Sequence, residues 1–267
     1  MMSRVPIGSP LGGDFGMPMT SAMRERYGVE QFNQGLGAEM MAGKWGLSRT
    51  QLDEFSLQSH EKAAKAVSQG NFDDEIIPVP RTDGDPYGTD EGVRTGGTLE
   101  TLAGLKPAFK EDGVIHAGNA SQISDGSAAL LLATPERAAE LGLTPIARVH
   151  TSVVAADDPV MMLGAPIPAT HKALAKGGLG IADIGAFEVN EAFAPVPLAW
   201  LTETGADPEA MNPNGGAIAL GHPLGASGAR LMTTLVHHMA RTGTQYGLQT
   251  MCEGGGMANA TILELLN

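Results

Sequence analysis

The chain has 267 residues, of which 42% are hydrophobic and 18% are charged, and this is enough apolar mass for a substantial folded core. Its 17 basic and 30 acidic side chains give a formal net charge of −13, which disfavours nucleic acids and anionic membranes as partners. The chain holds one cysteine, so an internal disulfide is excluded and a reducing, cytoplasmic setting is favoured.

The first 110 residues predict a loop-rich region that contains two helices. Proline and glycine interrupt this region repeatedly, as in the turn cluster at 83–88. The first helix is predicted at about 35–45. The second begins at a capping box formed by Ser48 and Gln51 and ends at Gly70. We expect this helical region to cover a site.

From residue 113 onwards the pattern alternates between strands and helices. The apolar run 127–133 fits either a helix or a buried strand. The further predicted elements are a helix at 135–141, a strand at 146–154, a helix at about 169–176, a strand at 186–189, a helix that includes 194–201, a long helix at 225–241, and strands at 246–251 and 258–265. This alternation predicts an α/β fold with a largely parallel sheet.

Three glycine-framed motifs carry the residues that are suited to chemistry. They are Asn-Glu-Ala-Phe at 190–193, Gly-Gly-Ala-Ile-Ala-Leu-Gly-His-Pro at 215–223 and Cys-Glu-Gly-Gly-Gly at 252–256. An amide, an imidazole and a thiol thus lie beside backbone that can approach a ligand closely. This combination favours acyl chemistry on a thioester.

Each of these polar residues has a functional interpretation and a structural one. His222 fits a general base or an oxyanion donor beside a helix N-terminus, or a loop histidine that caps a turn. Cys252 fits a reactive thiol that faces a carbonyl together with the Gly254 N–H, or a small inert core residue. Asn190 fits a residue that fixes a water or a carbonyl, or the N-cap of the next helix.

Apolar and metal-binding roles are less clearly indicated. Met161, Met162 and Phe193 fit the lining of an acyl tunnel, but methionine is also a common core residue. The other six histidines share no metal-ligand spacing, and no carboxylate cluster indicates a metal site.

Together these residues resemble the thiolase family, the acyl-CoA acetyltransferases and 3-ketoacyl-CoA thiolases of fatty acid metabolism. The three motifs in this order are specific, and the resemblance extends over the whole chain. Further segments that look like thiolase sequences are 2–6 (Met-Ser-Arg-Val-Pro), 105–109 (Leu-Lys-Pro-Ala-Phe), 117–121 (Ala-Gly-Asn-Ala-Ser) and 214–217 (Asn-Gly-Gly-Ala).

The resemblance implies a domain organisation. Thiolases have two similar βαβαβαββ halves with a loop domain inserted in the first half, and they assemble as dimers or tetramers. Residues 1–121 resemble the loop, or cover, domain, and 122–142 resemble the end of the N-terminal core half. Residues 143–267 resemble the complete C-terminal half. The expected fold is therefore α/β with the first half of the core largely missing, and the expected oligomer of a complete protein is a homodimer or homotetramer.

The resemblance also implies roles for site residues. His222 would activate a nucleophilic cysteine and help to bind the thioester oxygen, and Asn190 would hold a catalytic water. Cys252 would carry the proton to and from the α-carbon, and the Gly254 N–H would contribute to a second oxyanion hole. The positions that match contacts to coenzyme A, its pantetheine arm or the acyl group are Arg94, Phe109, Ala117, Ser121, Met162 and Phe193. Coenzyme A is a substrate in this chemistry, and no cofactor or metal is expected.

Two departures from the family pattern change the expected function. The nucleophilic cysteine of thiolases lies upstream of the segment that 2–6 resembles, and Cys252 matches the acid/base cysteine instead. We therefore expect this chain to be inactive by itself, and Met1 to be an internal methionine of a longer sequence. In addition, 32–35 reads Phe-Asn-Gln-Gly where short-chain biosynthetic members carry a His-Met pair, which favours bulkier 3-ketoacyl substrates.

The predicted function is thiolytic cleavage of a 3-ketoacyl-CoA to acetyl-CoA and a shortened acyl-CoA, or the reverse condensation. One alternative is a non-catalytic fragment that binds coenzyme A or pairs with a thiolase-like partner. Another is a hydrolase with Cys252 as nucleophile and His222 as base. We also expect the chain to expose apolar surface and a strand edge, and therefore to aggregate or to seek a partner.

Overall fold

A computed structural model of the protein describes residues 19–266. The segment 2–6, which carries part of the family resemblance, lies outside these residues. The α-helices of the described part are α1 (Ser21–Tyr27), α2 (Gln34–Lys44), α3 (Arg49–Ser68), α4 (Leu99–Ala103), α5 (Pro135–Glu140), α6 (Pro166–Gly177), α7 (Pro195–Thr204), α8 (Ala217–Leu220) and α9 (Ser227–Thr242). The strands are β1 (Ala147–Ala156), β2 (Ala186–Val189), β3 (Tyr246–Glu253) and β4 (Met257–Leu265).

The helix predictions agree with the structure at the long elements. The side chain of Ser48 accepts a hydrogen bond from the backbone of Gln51, and Gln51 reaches back to the Ser48 backbone, so α3 begins at the predicted capping box. The predicted helices at 35–45, 169–176 and 225–241 correspond to α2, α6 and α9. The mixed α/β class is confirmed.

The four strands form one sheet in the order β1-β4-β3-β2. Within residues 19–266, β2 and β3 pair in parallel, whereas β4 pairs antiparallel with both β1 and β3. The prediction of a largely parallel sheet was therefore wrong. The physical reason is the short turn at 254–256, because two strands joined by so few residues can pair only antiparallel.

Helices cover both faces of this sheet. Side chains that alternate along a strand point to opposite faces. Phe187 and Val189 of β2 pack in the apolar core against α6 and α7, where Trp200 is fully buried. On the other face Ala186 packs against Leu235 and other residues of α9. All four residues of β2 are buried, and the strand leads directly to the candidate site.

The cover region packs on this α/β layer through α2 and α3. An apolar cluster joins Met41 and Leu52 of the two helices to Val196 and Ile218 of the C-terminal region. The helices of the N-terminal region therefore pack against α7 and α8.

The segment 127–133 differs from its prediction. It is neither a helix nor a strand, and Leu131 and Leu132 are 78% and 69% exposed. An isolated extended segment gains a strand's hydrogen bonds only when a neighbouring strand is present. In the described part of the chain no strand pairs with this segment.

None of the helices in residues 19–266 combines the length and hydropathy that crossing a membrane requires.

Candidate active site

The end of β2 and the turn before α9 bring two of the predicted site residues together. The backbone N–H of Asn190 donates to the Thr250 carbonyl at 3.0 Å, which extends the pairing with β3 by one residue. The side-chain amide of Asn190 then donates to Nε2 of His222 at 3.3 Å. The backbone N–H of His222 donates to the Gln122 carbonyl at 2.8 Å and fixes the turn from the other side.

Ser227, the first residue of α9, determines which nitrogen of His222 carries the proton. The Ser227 hydroxyl donates to the Pro223 carbonyl at 3.1 Å, so its oxygen accepts from Nδ1–H of His222 at 2.5 Å. This leaves Nε2 of the neutral ring as an acceptor that faces Asn190. Ser227 was not predicted as a site residue. Its position five residues after His222, at the start of a helix, was a local signal that its hydroxyl could reach the imidazole ring.

The electrostatic surroundings keep the His222 ring neutral. Burial is the larger cause, and the positive charge of Arg230 on α9 is the second; together they lower the pKa of His222 from 6.5 to about 4. A neutral imidazole with a free Nε2 can accept a proton from an acidic group, which is what a general base requires.

One polar atom of the Asn190 side chain, Oδ1, has no hydrogen-bond partner within residues 19–266. Asn190 is 1% exposed. The interpretation of Asn190 as an N-cap was wrong, because Ala194 occupies the N-cap position of α7. A buried amide oxygen without a protein partner can orient a water or a ligand beside His222.

Glu191 links the Asn-Glu-Ala-Phe motif to the glycine motif at 215–223. Its buried carboxylate accepts from the Ser59 hydroxyl at 2.7 Å, from the Asn212 amide at 2.8 Å and from the Ile218 N–H at 3.1 Å. A Cβ at Gly216 would overlap this carboxylate. Glycine is therefore required at 216 so that the start of α8 can lie on Glu191.

Cys252 lies near the end of β3, opposite Ala258 of β4. It packs against the apolar cluster that contains Met161 and Met162, and burial raises the pKa of its thiol from 9.0 to about 12. Across residues 19–266, no hydrogen bond joins the thiol to His222. The thiol is therefore protonated at neutral pH and has no base in direct contact.

Gly254 lies just beyond Cys252 in the turn between β3 and β4. It is exposed, and the space around it is open. Gly255 and Gly256 form the turn with positive φ angles of 86° and 79°, which glycine tolerates because it has no side chain. The Gly256 carbonyl accepts from the Asp157 N–H at 2.8 Å and anchors the turn to the end of β1.

The residues predicted to contact coenzyme A lie on two neighbouring segments. The Ser121 N–H donates to the Ala192 carbonyl at 3.0 Å, which places the loop 117–121 beside the 190–193 motif. The rings of Phe109 and Phe193 meet edge to face with their centroids 5.9 Å apart. Ala117 is exposed, whereas Ser121 and Phe193 are half-buried.

Arg94 and Met162 are placed differently from each other. Arg94 is exposed, and its backbone N–H donates to Nδ1 of His60 at 3.1 Å. Met162 is 5% exposed and packs in the apolar cluster with Leu163 and Val196. Its φ angle of 65° is uncommon for a residue other than glycine, so its backbone is held by the surrounding structure.

A buried pair of ionisable residues on β2 and α9 was not singled out from the sequence. Glu188 of β2 is 0% exposed, and its carboxylate lies 3.4 Å from the Arg230 guanidinium on α9. Burial raises the pKa of Glu188 from 4.5 to about 8. A charged residue in an otherwise apolar buried strand was the signal for this pair.

A cavity of about 430 Å³ adjoins the His222 turn, and its lining includes Ser124, Ser127 and Pro223. No group of three or more His, Cys, Asp or Glu residues in the described ranges could hold a metal ion.

Comparisons with known proteins cover nearly the whole chain. Residues 2–136 match the family model of the thiolase N-terminal domain, and residues 143–265 match that of the thiolase C-terminal domain.

Individual relatives are similar at substantial identity. The chain is 52% identical to the steroid 3-ketoacyl-CoA thiolase FadA6 of Mycobacterium tuberculosis, over 99% of this chain and 66% of the relative. It is 45% identical to the acetyl-CoA acetyltransferase of Paracoccus denitrificans, over 87% of this chain and 60% of that protein. The chain therefore spans slightly less than two thirds of the length of these curated relatives.

A solved structure is also similar. The crystal structure of the acetyl-CoA acetyltransferase of Bacillus anthracis has a TM-score of 0.86 and 38% identity, and the match covers 95% of this chain and 67% of that one. The two family models, the relatives and the solved structure all indicate the same family. The chain belongs to the thiolase family.

Proposed function

We propose that this chain carries the acid/base and oxyanion side of a thiolase-type acyltransferase site. The reaction is cleavage of a 3-ketoacyl-CoA by coenzyme A to acetyl-CoA and a shortened acyl-CoA, or the reverse condensation. The observation that carries this proposal is the contact of Asn190 with the unprotonated Nε2 of a buried, neutral His222. Family membership gives this contact its chemical context.

The proposed reaction assigns each site residue a step. His222 accepts the proton of a cysteine thiol, and the resulting thiolate attacks the 3-keto carbon. The Cα–Cβ bond breaks, and its electron pair forms the enolate of acetyl-CoA. Cys252 donates its proton to the enolate carbon, and the thiol of incoming coenzyme A returns a proton to Cys252. The coenzyme A thiolate then attacks the acyl carbonyl, the bond to the nucleophilic cysteine breaks, and the released cysteine thiolate regains its proton from His222.

Two groups stabilise the negative charge in this scheme. The free Oδ1 of Asn190 orients a water that donates to one oxyanion, together with the Nε2–H that His222 carries once it has accepted the cysteine proton. The Gly254 N–H, in an exposed glycine turn next to Cys252, donates to the other. The raised pKa of Cys252 supports its role, because a protonated thiol can act as an acid but not as a nucleophile.

The covalent step needs a second cysteine. The 267 residues contain one, and Cys252 is assigned to proton transfer. In this proposal the nucleophilic thiol belongs to polypeptide outside these 267 residues, so the chain alone binds coenzyme A without cleaving 3-ketoacyl-CoA.

Coenzyme A binding is assigned to the surface formed by the loop 117–121 and the two phenylalanines that meet edge to face. Phe109 and Phe193 offer apolar contact to the pantetheine arm, with Ala117 and Ser121 beside them. Arg94 supplies a local positive charge that a phosphate needs in a chain of net charge −13. Met162 is assigned to the wall of the acyl site.

The substrate is proposed to be a bulky 3-ketoacyl-CoA. Segment 32–35 lacks the His-Met pair of short-chain members, and the mycobacterial relative is named a steroid 3-ketoacyl-CoA thiolase. We further infer the domain boundaries 1–121, 122–142 and 143–267, a homodimer or homotetramer for the complete protein, and a cytoplasmic setting, which the single cysteine supports.

One alternative function has a specific observation in its favour. The exposed Leu131 and Leu132 fit a chain that pairs with a thiolase-like partner and does not itself catalyse. The hydrolase alternative is disfavoured, because the Cys252 thiol is protonated and has no contact with His222.

Calorimetric titration of coenzyme A into the purified chain tests the proposed function. We expect one binding site in the wild type. A Cβ at Gly35 would overlap the ring of Phe109, so Gly35→Ala should displace this ring and weaken binding by about tenfold, which is the effect of losing roughly 1.4 kcal/mol. Gly43→Ala on the same helix meets open space and serves as the control. Absence of binding, or equal affinity in the two variants, contradicts the proposed site.

A further inference from the structure

Beneath the loop 117–121 lies a fully buried polar network that the proposed reaction does not use. Nε2 of His116 lies 2.8 Å from Oδ1 of Asp53 on α3, and both residues are buried. The amide of Asn119 donates to the same carboxylate oxygen at 3.0 Å and to the Val114 carbonyl at 2.9 Å. The Asn119 side-chain oxygen accepts from the His116 N–H at 2.9 Å.

The contacts of the His116 ring determine its protonation. Nδ1 accepts a hydrogen bond from the Gly118 N–H at 3.1 Å and therefore carries no proton. Nε2 faces a carboxylate and therefore carries one. The ring is neutral, with a single proton directed at Asp53 and a lone pair directed at the backbone of the loop.

The surroundings of the ring favour this neutral form. Burial lowers the pKa of His116, and Arg49, which lies 3.7 Å from Asp53, lowers it further, while Asp53 itself acts in the opposite direction. Glu39 of α2 lies next to this segment as well, and its carboxylate accepts hydrogen bonds from the backbone N–H groups of Val114 and Ile115.

The network is connected directly to the candidate site. The Asn119 carbonyl accepts from the Ala194 N–H at 2.9 Å, and Ser121 bonds to Ala192. Ala117 and Ser121, which we assign to coenzyme A binding, lie on either side of Gly118 and Asn119. A change at Gly118 therefore moves the contact surface for coenzyme A.

We propose that His116 is a positioning residue for coenzyme A binding, in which the Nδ1 lone pair fixes Gly118 and hence the 117–121 loop. Asp53 acts through it by holding the proton on Nε2. This inference rests on the proposed function, because it assumes that the loop contacts coenzyme A.

Two substitutions each remove one of the two hydrogen bonds that the His116 ring makes. The amide of asparagine occupies the place of Nδ1, so His116→Asn can keep an acceptor for Gly118 but loses the donor to Asp53. The amide of glutamine occupies the place of Nε2, so His116→Gln keeps the donor to Asp53 but loses the acceptor for Gly118. Exposed His171 on α6 provides a control, His171→Gln.

We expect one variant to lose coenzyme A affinity and the other to lose thermal stability. His116→Gln should weaken coenzyme A binding by about tenfold and change the melting temperature little. His116→Asn should bind within about threefold of wild type but melt at a lower temperature, because buried Asp53 has lost a donor. If affinity and melting temperature fall together in both variants, or if both bind like His171→Gln, the positioning role of Nδ1 is wrong.

Two measurements on the free chain separate this inference from the proposed function. Nitrogen-15 spectra of histidine-labelled wild-type chain should show His116 protonated on Nε2 alone at neutral pH, and a proton on Nδ1 would overturn the inference without any variant. Amide exchange at Gly118 should be faster in His116→Gln than in His116→Asn. If the wild-type chain binds no coenzyme A, the proposed function fails, while the exchange rates still decide whether His116 fixes the loop.

Discussion

The side-chain amide of Asn190 donates to Nε2 of His222 across 3.3 Å, although the two residues are 32 positions apart in the sequence. The contact exists because β2 ends at Val189, directly before Asn190, and because Ser227 holds the opposite side of the imidazole ring. It gives the neutral ring a defined tautomer before any substrate is bound. This arrangement and the buried ionisable residues around it affect the pKa of His222 and the stability of the fold.

Arg230 should control the acidity of His222. Burial and the Arg230 charge both lower the pKa of His222, so Arg230→Met should raise the pKa from about 4 towards, but not to, 6.5, because burial remains. Nitrogen-15 histidine spectra recorded over a pH series measure this. Arg241→Met, which removes a charge near the other end of α9, should leave His222 unchanged. A wild-type His222 that titrates near 6.5 would contradict the assignment.

Glu188 should make the fold less stable as the pH rises. Its pKa is about 8 in the folded chain against 4.5 for an ordinary glutamate, so the folded state binds the proton more tightly. Its contribution to stability is fully present below about pH 4.5 and is lost as the pH rises through about 8.

Glu188→Gln removes this titration. Between about pH 5.5 and about pH 7.5 the wild type should lose stability relative to the variant. The difference between their free energies of unfolding should change by up to about 1.4 kcal/mol for each pH unit, in favour of the variant. Chemical denaturation at a series of pH values measures the difference, and exposed Glu209→Gln is the control. A difference that does not vary with pH would show that Glu188 is ionised in the folded chain.

Gly216 should not tolerate a side chain. A Cβ there would overlap the Glu191 carboxylate, which three hydrogen bonds hold in place, so Gly216→Ala should lower the free energy of unfolding by about 3 kcal/mol. Gly225→Ala, at a site with open space in the same region, should change it by less than about 0.5 kcal/mol. Denaturant unfolding compares the two, and equal effects would mean that Glu191 can move away from α8.

The sequence predicted those helices, strands and motifs whose formation depends on residues that are close together in the chain. The capping box at Ser48, the strand that ends at Asn190 and the helix that follows His222 are all patterns within a few residues. The family resemblance predicted the thiolase fold, because the three motifs together are specific. The meeting of the second and third motifs around one pocket remains part of the proposal.

Features that depend on distant contacts were not predictable in the same way. The antiparallel pairing of β1 with β4 depends on which strand edge β1 joins, and periodicity does not reveal this. The segment 127–133 has the composition of a buried element, but burial needs a partner surface. Ser227 and Glu188 each have a local signal in the sequence, but the atoms that they contact, and the network around His116, require coordinates because a sequence gives no distances between side chains.

In the proposed reaction Cys252 transfers protons and is not the nucleophile. Mass spectrometry of the purified 267-residue chain after incubation with acetoacetyl-CoA tests this directly, with iodoacetamide labelling of the unfolded chain as the control for a detectable thiol. We expect an unmodified Cys252 and no acetyl-CoA, because burial raises the pKa of this thiol to about 12 and no hydrogen bond joins it to His222 within residues 19–266. An acyl group on Cys252, or cleavage of acetoacetyl-CoA by the chain alone, would contradict it.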